Sequence, residues 1–139
     1  MQSKPLFPKI YLYRRIVQAK LFMDSHYDRV IDLDAIADEA FFSKFHFIRL
    51  FKATYGKTPH QYLIGVRIEN ARLLLKNGMP VTDVCYAVGF DSISSFSALF
   101  KRLTTFTPSA FQQRELKREK EMLATPLRFI PNCFLEPKT

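Results

Sequence analysis

The sequence has no tryptophan, two cysteines, four glycines and 13 acidic residues in a chain of 139. Each shortage removes a class of protein. Cys85 and Cys133 are too few for a disulfide framework, and neither has the paired spacing of a zinc ligand. No Gly-rich phosphate loop and no Ser nucleophile motif occurs. His26, His46 and His60 lie far apart, none with a Cys or carboxylate partner at ligand spacing. The chain is therefore expected to be neither an enzyme nor a metalloprotein and to need no cofactor. Long apolar runs are missing too. The longest, such as Ala40-Phe41-Phe42, cannot span a bilayer, so no membrane partner is expected. Lys4, Lys9, Arg14, Arg15 and Lys20 are spread through the first 20 residues with no apolar stretch between them, so no secretory signal is expected either. These shortages point to a cytoplasmic protein.

What the sequence does hold is cation and phenylalanine. Lys and Arg number 21, for a formal net charge of +8, and there are 14 Phe. Hydrophobic residues make up 47% and charged residues 24%, the composition of a globular domain. The charge is uneven. Residues 1–40 balance six basic against six acidic side chains, whereas residues 41–76 set Lys44, Arg49, Lys52, Lys57, Arg67, Arg72 and Lys76 against Glu69 alone. Such a block fits a polyanion partner, through phosphate neutralisation and counterion release, or a plain solvated cationic face. Charge does not decide between them.

Spacing of apolar residues predicts helices almost throughout, and no segment alternates convincingly as a strand. Ile10, Tyr13, Val17 and Leu21 outline a first helix to about Ser25, and Leu33, Ile36, Ala37 and Ala40 a short second one. Ser43 is placed to cap a third, with Phe47, Leu50, Phe51 and Thr54 on its buried face and Gly56 ending it. Thr58 and Pro59 open a long fourth helix to Lys76, with Tyr62, Leu63, Val66, Ala71, Leu74 and Leu75 as its buried stripe. Val81, Val84, Ala87 and Val88 form a short fifth, stopped at Gly89. Ser92 caps a sixth with Phe96, Leu99, Phe100 and Leu103 inward. Pro108 opens a seventh through Phe111 and Leu116 to about Glu121.

Two blocks repeat. Leu33-x-x-Ile36-Ala37-x-x-Ala40 matches Val81-x-x-Val84-Cys85-x-x-Val88 at an offset of 48. From the caps onward the offset is 49: Ser43 with Ser92, Phe47 with Phe96, Leu50-Phe51-Lys52 with Leu99-Phe100-Lys101, Thr58-Pro59 with Thr107-Pro108, and Tyr62 with Phe111. The extra residue falls in the turn, where insertions are tolerated. Each copy is a short helix, a tight turn and a second amphipathic helix, which is the form of a helix-turn-helix. Ala37 and Cys85 are small residues placed mid-helix where two helices approach. The expected fold is all-α: two helix-turn-helix subdomains joined by a long linker helix, about seven helices. The division is 1–58 for the first helix and first unit, 59–76 for the linker, 77–121 for the second unit and closing helix, and 122–139 for a Pro-containing tail.

The second copy, Val81-Thr82-Asp83-Val84 through Gly89-Phe90-Asp91-Ser92, Phe96-Ser97, Phe100-Lys101-Arg102 and Phe106-Thr107-Pro108-x-x-Phe111, resembles the signature of the AraC/XylS family. The first, Ser43-Lys44-Phe45-His46-Phe47-x-Arg49-Leu50-Phe51-Lys52 with Gly56, is similar to that family's first helix-turn-helix. The resemblance covers about residues 10–115. It implies a bacterial transcription regulator whose two units occupy adjacent major grooves of double-stranded DNA. Two departures stand out. Family members often carry longer polar or basic side chains where this chain has Ala98, so base readout by the second unit is expected to be weak. Thr105 stands where the first copy has Gly56, so the turn before Phe106 is expected to use a different cap.

A helix-turn-helix presents the N-terminal half of its second helix to base edges. With Phe47 and Phe51 inward, Phe45, Ile48, Arg49 and Lys52 point outward, with Lys44 at the flank. Arg49 is the strongest base-reading candidate, because guanidinium bonds guanine O6 and N7 bidentately. Phe45 and Ile48 are candidates for thymine methyls, or for burial under the first helix. Ser94, Ser97 and Ala98 are the base-facing residues of the second unit. Ser43, Lys44, Lys52, Ser92, Lys101 and Arg102 are the phosphate candidates, and His46 is a candidate for packing or a further phosphate contact. The 18 residues of the linker reach about 27 Å, against 34–36 Å for one DNA turn, so a monomer is expected to span a site of about 20 bp, and a rigid linker on straight DNA is expected to bend it. RNA polymerase is the expected second partner, and no small-molecule effector domain is expected within 139 residues. The tail holds Leu127, Phe129, Ile130, Phe134 and Leu135 between Pro126, Pro131 and Pro137, and either packs on the domain or contacts a partner. The opposing class is a protein-interaction module that keeps the same fold.

Overall fold

Asp32 opens the first helix-turn-helix unit by capping a helical turn at Leu33–Ala35, its Oδ1 accepting from the N–H groups of Asp34 and Ala35. The computed structural model describes residues 6–35 and 44–125, with side chains from Ile10 onward. Among these it is all-α, with α1 (Leu6–His26), α2 (Lys44–Tyr55), α3 (Pro59–Lys76), α4 (Val81–Ala87), α5 (Ile93–Thr104) and α6 (Pro108–Ala124). The remainder of the expected second helix, Ile36 to Ala40, and Ser43 with its expected capping role lie outside the described residues, as does the tail from Pro126.

The helices start where side-chain oxygens can take up orphan N–H groups. Thr58 accepts from Gln61 N–H while Gln61 Oε1 accepts from Thr58 N–H, a reciprocal box that Pro59 leads into α3. Ser92 caps α5 by accepting from Ser95 N–H, and Thr107 caps α6 by accepting from Ala110 N–H. The helix ends repeat as well. Gly56 has φ 78 and donates its N–H to the Lys52 carbonyl at 2.7 Å. Thr105 has φ 72 and donates to the Lys101 carbonyl at 2.8 Å. The expectation of a different cap before Phe106 is thus corrected: the geometry is the same, and a β-branched residue occupies it. Beside it the Thr104 hydroxyl donates to the Phe100 carbonyl at 2.7 Å and accepts from Phe106 N–H at 3.3 Å.

Two apolar cores sit on α3. The first joins Ile16, Ala19 and Met23 of α1 to Phe47 and Phe51 of α2 and Leu63 of α3. The second joins Ile64, Ile68, Ala71 and Leu75 of α3 to Val84, Cys85 and Val88, then Phe90, Phe96, Phe100 and Phe111. Adjacent residues Leu63 and Ile64 thus serve different cores, and Tyr27 packs against both. Aromatic rings fill both cores. Phe51 meets Tyr62 edge-on at 5.6 Å and 71°, and Phe100 meets Phe111 edge-on at 5.4 Å and 73°. The sequence repeat is therefore a repeat of ring geometry. Cys85 is buried, and burial pushes its thiol pKa up, consistent with an inert core residue.

Several expected inward faces are corrected. Ile10, Tyr13, Val17 and Leu21 of α1 are exposed, and Ile16, Ala19 and Met23 are the buried stripe. Both sets recur at three- and four-residue spacing, so periodicity alone cannot choose between them. Polar anchors fix the choice: Tyr62 Oη donates to Asp24 Oδ1 at 2.6 Å, and Lys20 pairs with the other Asp24 oxygen at 2.7 Å. Thr54 is exposed and its hydroxyl donates back to the Leu50 carbonyl. Ala87, Leu103 and Leu116 are exposed, whereas Val88, next to Ala87, is fully buried. On α3, Ile64 and Ile68 are buried as fully as Leu63, although the single stripe read from the sequence omitted them. A helix serving two cores is buried on two sides.

Candidate nucleic-acid interface

The burial of Phe47 and Phe51 sets the rotation of α2, and the outward face follows. Lys44, Phe45, Arg49 and Lys52 are exposed, Phe45 to 75%. An apolar ring so open to water beside three cations is more suited to a partner's surface than to this chain's core. Ile48 is half-buried instead of fully outward, lining a cleft with Ile31, Leu33, Phe47 and Pro59. Lys44 Nζ lies 3.3 Å from Asp34 Oδ1, an exposed pair that a phosphate could displace at little cost. Arg49 and Lys52 have no ion pair among the described residues. His46 is exposed and has an interaction of its own within the chain.

In α5 the rings of Phe96 and Phe100 play the same anchoring part. Ser94, Ala98, Lys101 and Arg102 are exposed, while Ser97 is half-buried. The Ser92 oxygen is engaged as a cap, so only its own proton remains to donate. Neither α2 nor α5 carries an acidic residue anywhere along its length. The carboxylates nearest the helix starts lie outside them, Asp34 beside Lys44 and Asp91 just before the Ser92 cap, so the helices themselves add no negative charge against a phosphate.

Not every cation of residues 41–76 faces outward. Arg67 turns inward: its Nε donates to the Tyr27 carbonyl at 2.7 Å and its Nη2 to the Arg29 carbonyl at 3.0 Å. Burial lowers its pKa, opposed by the carboxylates of Asp28 and Asp91. Arg72 pairs with Glu69 at 3.4 Å and lies over the Phe111 ring. The block is therefore partly structural, which its composition alone could not reveal. Gln112 was also silent in the sequence. Its amide donates to the Leu75 and Met79 carbonyls at 3.1 and 2.7 Å, closing the C-terminus of α3 and the turn that follows. No group of three metal-ligating side chains occurs among the described residues, and none of the described helices is long and apolar enough to cross a membrane.

Two helix-turn-helix units on a shared rod, each offering a helix without acidic residues, have the architecture of a DNA-binding domain. Comparison with known proteins agrees. The sequence model of a helix-turn-helix domain matches residues 36–114. The MmsAB operon regulatory protein of Pseudomonas aeruginosa is 37% identical over 94 residues, 67% of this chain and 31% of that protein. The HTH-type transcriptional activator RhaS of Escherichia coli is 33% identical over 93 residues, 66% of this chain and 34% of that protein. This chain thus spans about a third of the length of either relative. The crystal structure of the DNA-binding domain of AdpA, a global transcriptional factor in complex with a target DNA, superposes with a TM-score of 0.70 at 26% identity, covering 74% of this chain and 94% of that one. The chain belongs to the AraC/XylS family of transcription regulators and carries that family's DNA-binding domain. The relatives it matches are described as regulators of transcription.

Proposed function

We propose that the chain is a sequence-specific DNA-binding activator that lays α2 and α5 in adjacent major grooves as a monomer. The observation that carries this reading is the outward face of α2: Phe45, Arg49 and Lys52 exposed together on a helix with no carboxylate. Arg49 reads guanine, Phe45 and the half-buried Ile48 touch thymine methyls, and Lys44 and Lys52 hold phosphates. Ser94, Ser97 and Ala98 discriminate weakly, so the second unit anchors through Ser92, Lys101, Arg102 and the start of α5. Ser43 keeps its proposed phosphate contact from the sequence alone. Sequence preference then comes mostly from the first unit and from DNA shape. The activator role is supported by the likeness to RhaS, which bears that description, and RNA polymerase is the partner such a role requires.

The test is selection of binding sites from random duplexes, followed by affinity measurements on selected and unrelated DNA as salt is raised. The reading expects a preferred site and a steep inverse salt dependence. Absence of duplex binding at low salt overturns it. That outcome would favour a protein-interaction module, for which the specific observation is the exposed apolar stripe of Ile10, Tyr13, Val17 and Leu21 on α1.

A further inference from the structure

The two cores share α3, and a single helix does not by itself fix the angle between two units that ride on it. The question is what else joins them. Arg67 does so from the middle of α3. On one side its guanidinium forks onto the Tyr27 and Arg29 carbonyls, in the segment that leaves α1. On the other it lies 5.7 Å from the centroid of Phe90, in the turn between α4 and α5. The surrounding carboxylates divide the same way, Asp28 coming from the first unit and Asp91 from the second.

Gly89 completes the junction. A Cβ at that position would come within 2.7 Å of the Tyr27 carbonyl oxygen and 3.1 Å of Arg67 Nε. Its φ of 98 adds a second reason for glycine. The turn of the second unit therefore rests directly on the backbone of the first, with the guanidinium wedged beside the contact. Lysine keeps the charge but lacks the rigid planar fork that holds two carbonyls at a fixed separation.

We propose that Arg67 is a positioning residue that fixes the spacing and angle between the two readers, so that the chain selects DNA by the distance between two half-sites as well as by their bases. The spacing part rests on the DNA-binding reading above; the rigidity part does not. Inserting one base pair between half-sites moves one of them by about 3.4 Å and about 35°. A clasped protein must strain itself or the DNA to follow, whereas an unclasped one can adjust. Each unit keeps its own core in Arg67 variants, so each keeps its base preference.

The test has two arms, each on the full chain carrying Arg67, Arg67→Lys or Arg67→Met, with folding checked by thermal melting. In the first, spin labels at Thr54→Cys and Leu103→Cys, equivalent exposed positions of the two units, report the distance between α2 and α5 in a Cys133→Ser background without DNA. A narrow distribution is expected for Arg67 and a broadened or shifted one for Lys. Equal narrow distributions overturn the proposal, whether or not the chain binds DNA. In the second arm, affinities are measured on the selected duplex and on duplexes with one base pair added or removed between half-sites. The clasp is expected to be worth at least about tenfold in spacing discrimination. That ratio should fall toward one in Arg67→Lys, while the relative affinity for base changes within the first half-site stays as in the parent. Unchanged spacing discrimination overturns the proposal. Failure of the parent to bind any duplex overturns the DNA-binding reading instead, and the distance arm still decides the clasp. Should Arg67→Met not fold, Arg67→Lys alone carries both arms.

Discussion

Gly56 and Thr105 hold the same left-handed backbone conformation at the ends of equivalent helices, one with no side chain and the other with a branched one. Their φ values are 78 and 72, and each donates its N–H to the carbonyl four residues back. An L-residue in this region costs about 1–2 kcal/mol, and glycine gives part of that back through its larger unfolded-state entropy. The Thr105 side chain is exposed, so little packing is lost with it. Thr105→Gly should therefore stabilise the domain by about 0.5–1 kcal/mol and raise Tm by several degrees, whereas Gly56→Thr should lower it. Thermal melting of the two variants checks both signs. A fall in Tm for Thr105→Gly would mean that the Thr105 side chain contributes something the geometry does not show.

The same pair explains what the sequence could and could not tell. The 49-residue offset made the paired rings and the caps at Thr58, Ser92 and Thr107 legible, because capping chemistry and ring spacing are local. It also suggested that Thr105 must turn differently, since propensity disfavours threonine there. Tertiary context overrides propensity: α6 must start at Pro108, and the Thr104 hydroxyl holds the Phe106 N–H in the turn. The face of α1 was illegible for a different reason. Both Ile10-Tyr13-Val17-Leu21 and Ile16-Ala19-Met23 satisfy a helical period, and the choice is made by residues distant in the chain: Phe47, Phe51 and Leu63 in the core, and Tyr62 on Asp24. The outward placement of Arg49 and Lys52 was readable because Phe47 and Phe51 fix the opposite side. The inward placement of Arg67 was not, because its partners are backbone carbonyls, which no residue letter announces.

Alkaline pH should weaken the contact between α1 and α3. Burial first, and then the hydrogen bond to Asp24, raise the Tyr62 pKa above its ordinary value of 10.0. The hydrogen bond to Asp24 raises that of Lys20 above 10.5. A group whose folded pKa lies above its unfolded one stabilises fully below the unfolded value, and this stability is lost as pH climbs toward the folded one. The contribution should thus be intact at pH 8 and decline above about pH 10. Urea midpoints measured from pH 8 to 11 should fall at the alkaline end, and Tyr62→Phe should flatten part of that fall while losing about 1 kcal/mol at pH 8. An equal alkaline decline in Tyr62→Phe would place the titrating group elsewhere.

Arg49 and Lys52 lie on one face of α2, yet their loss should be felt differently. If Arg49 makes the proposed bidentate base contact, Arg49→Ala should cost about 1–3 kcal/mol on the selected duplex, with much less change on unrelated DNA. If Lys52 makes the proposed phosphate contact, Lys52→Ala should weaken binding to all duplexes alike and reduce the slope of log K against log salt by about 0.9. Titrations of both variants on selected and unrelated duplexes at several salt concentrations separate the two outcomes. Exchange of the two patterns would reverse the assigned roles; uniform losses in both would leave specificity to DNA shape.

Ala98 offers the converse experiment, a gain in place of a loss. It is exposed on α5, on a helix that already ends in Lys101 and Arg102 and carries no carboxylate to capture a new cation. Ala98→Arg lengthens that surface by a side chain able to reach either a guanine edge or a phosphate. If α5 lies in the major groove, affinity should rise several-fold at moderate salt. The base frequencies in the second half of the selected site should then sharpen if the new guanidinium meets bases, or the salt slope steepen by about 0.9 if it meets a phosphate. Repeating the random-duplex selection with the variant distinguishes these. An arginine that changes neither affinity, site nor salt slope would mean that this face of α5 stays outside the groove, and the chain would then read DNA through α2 alone.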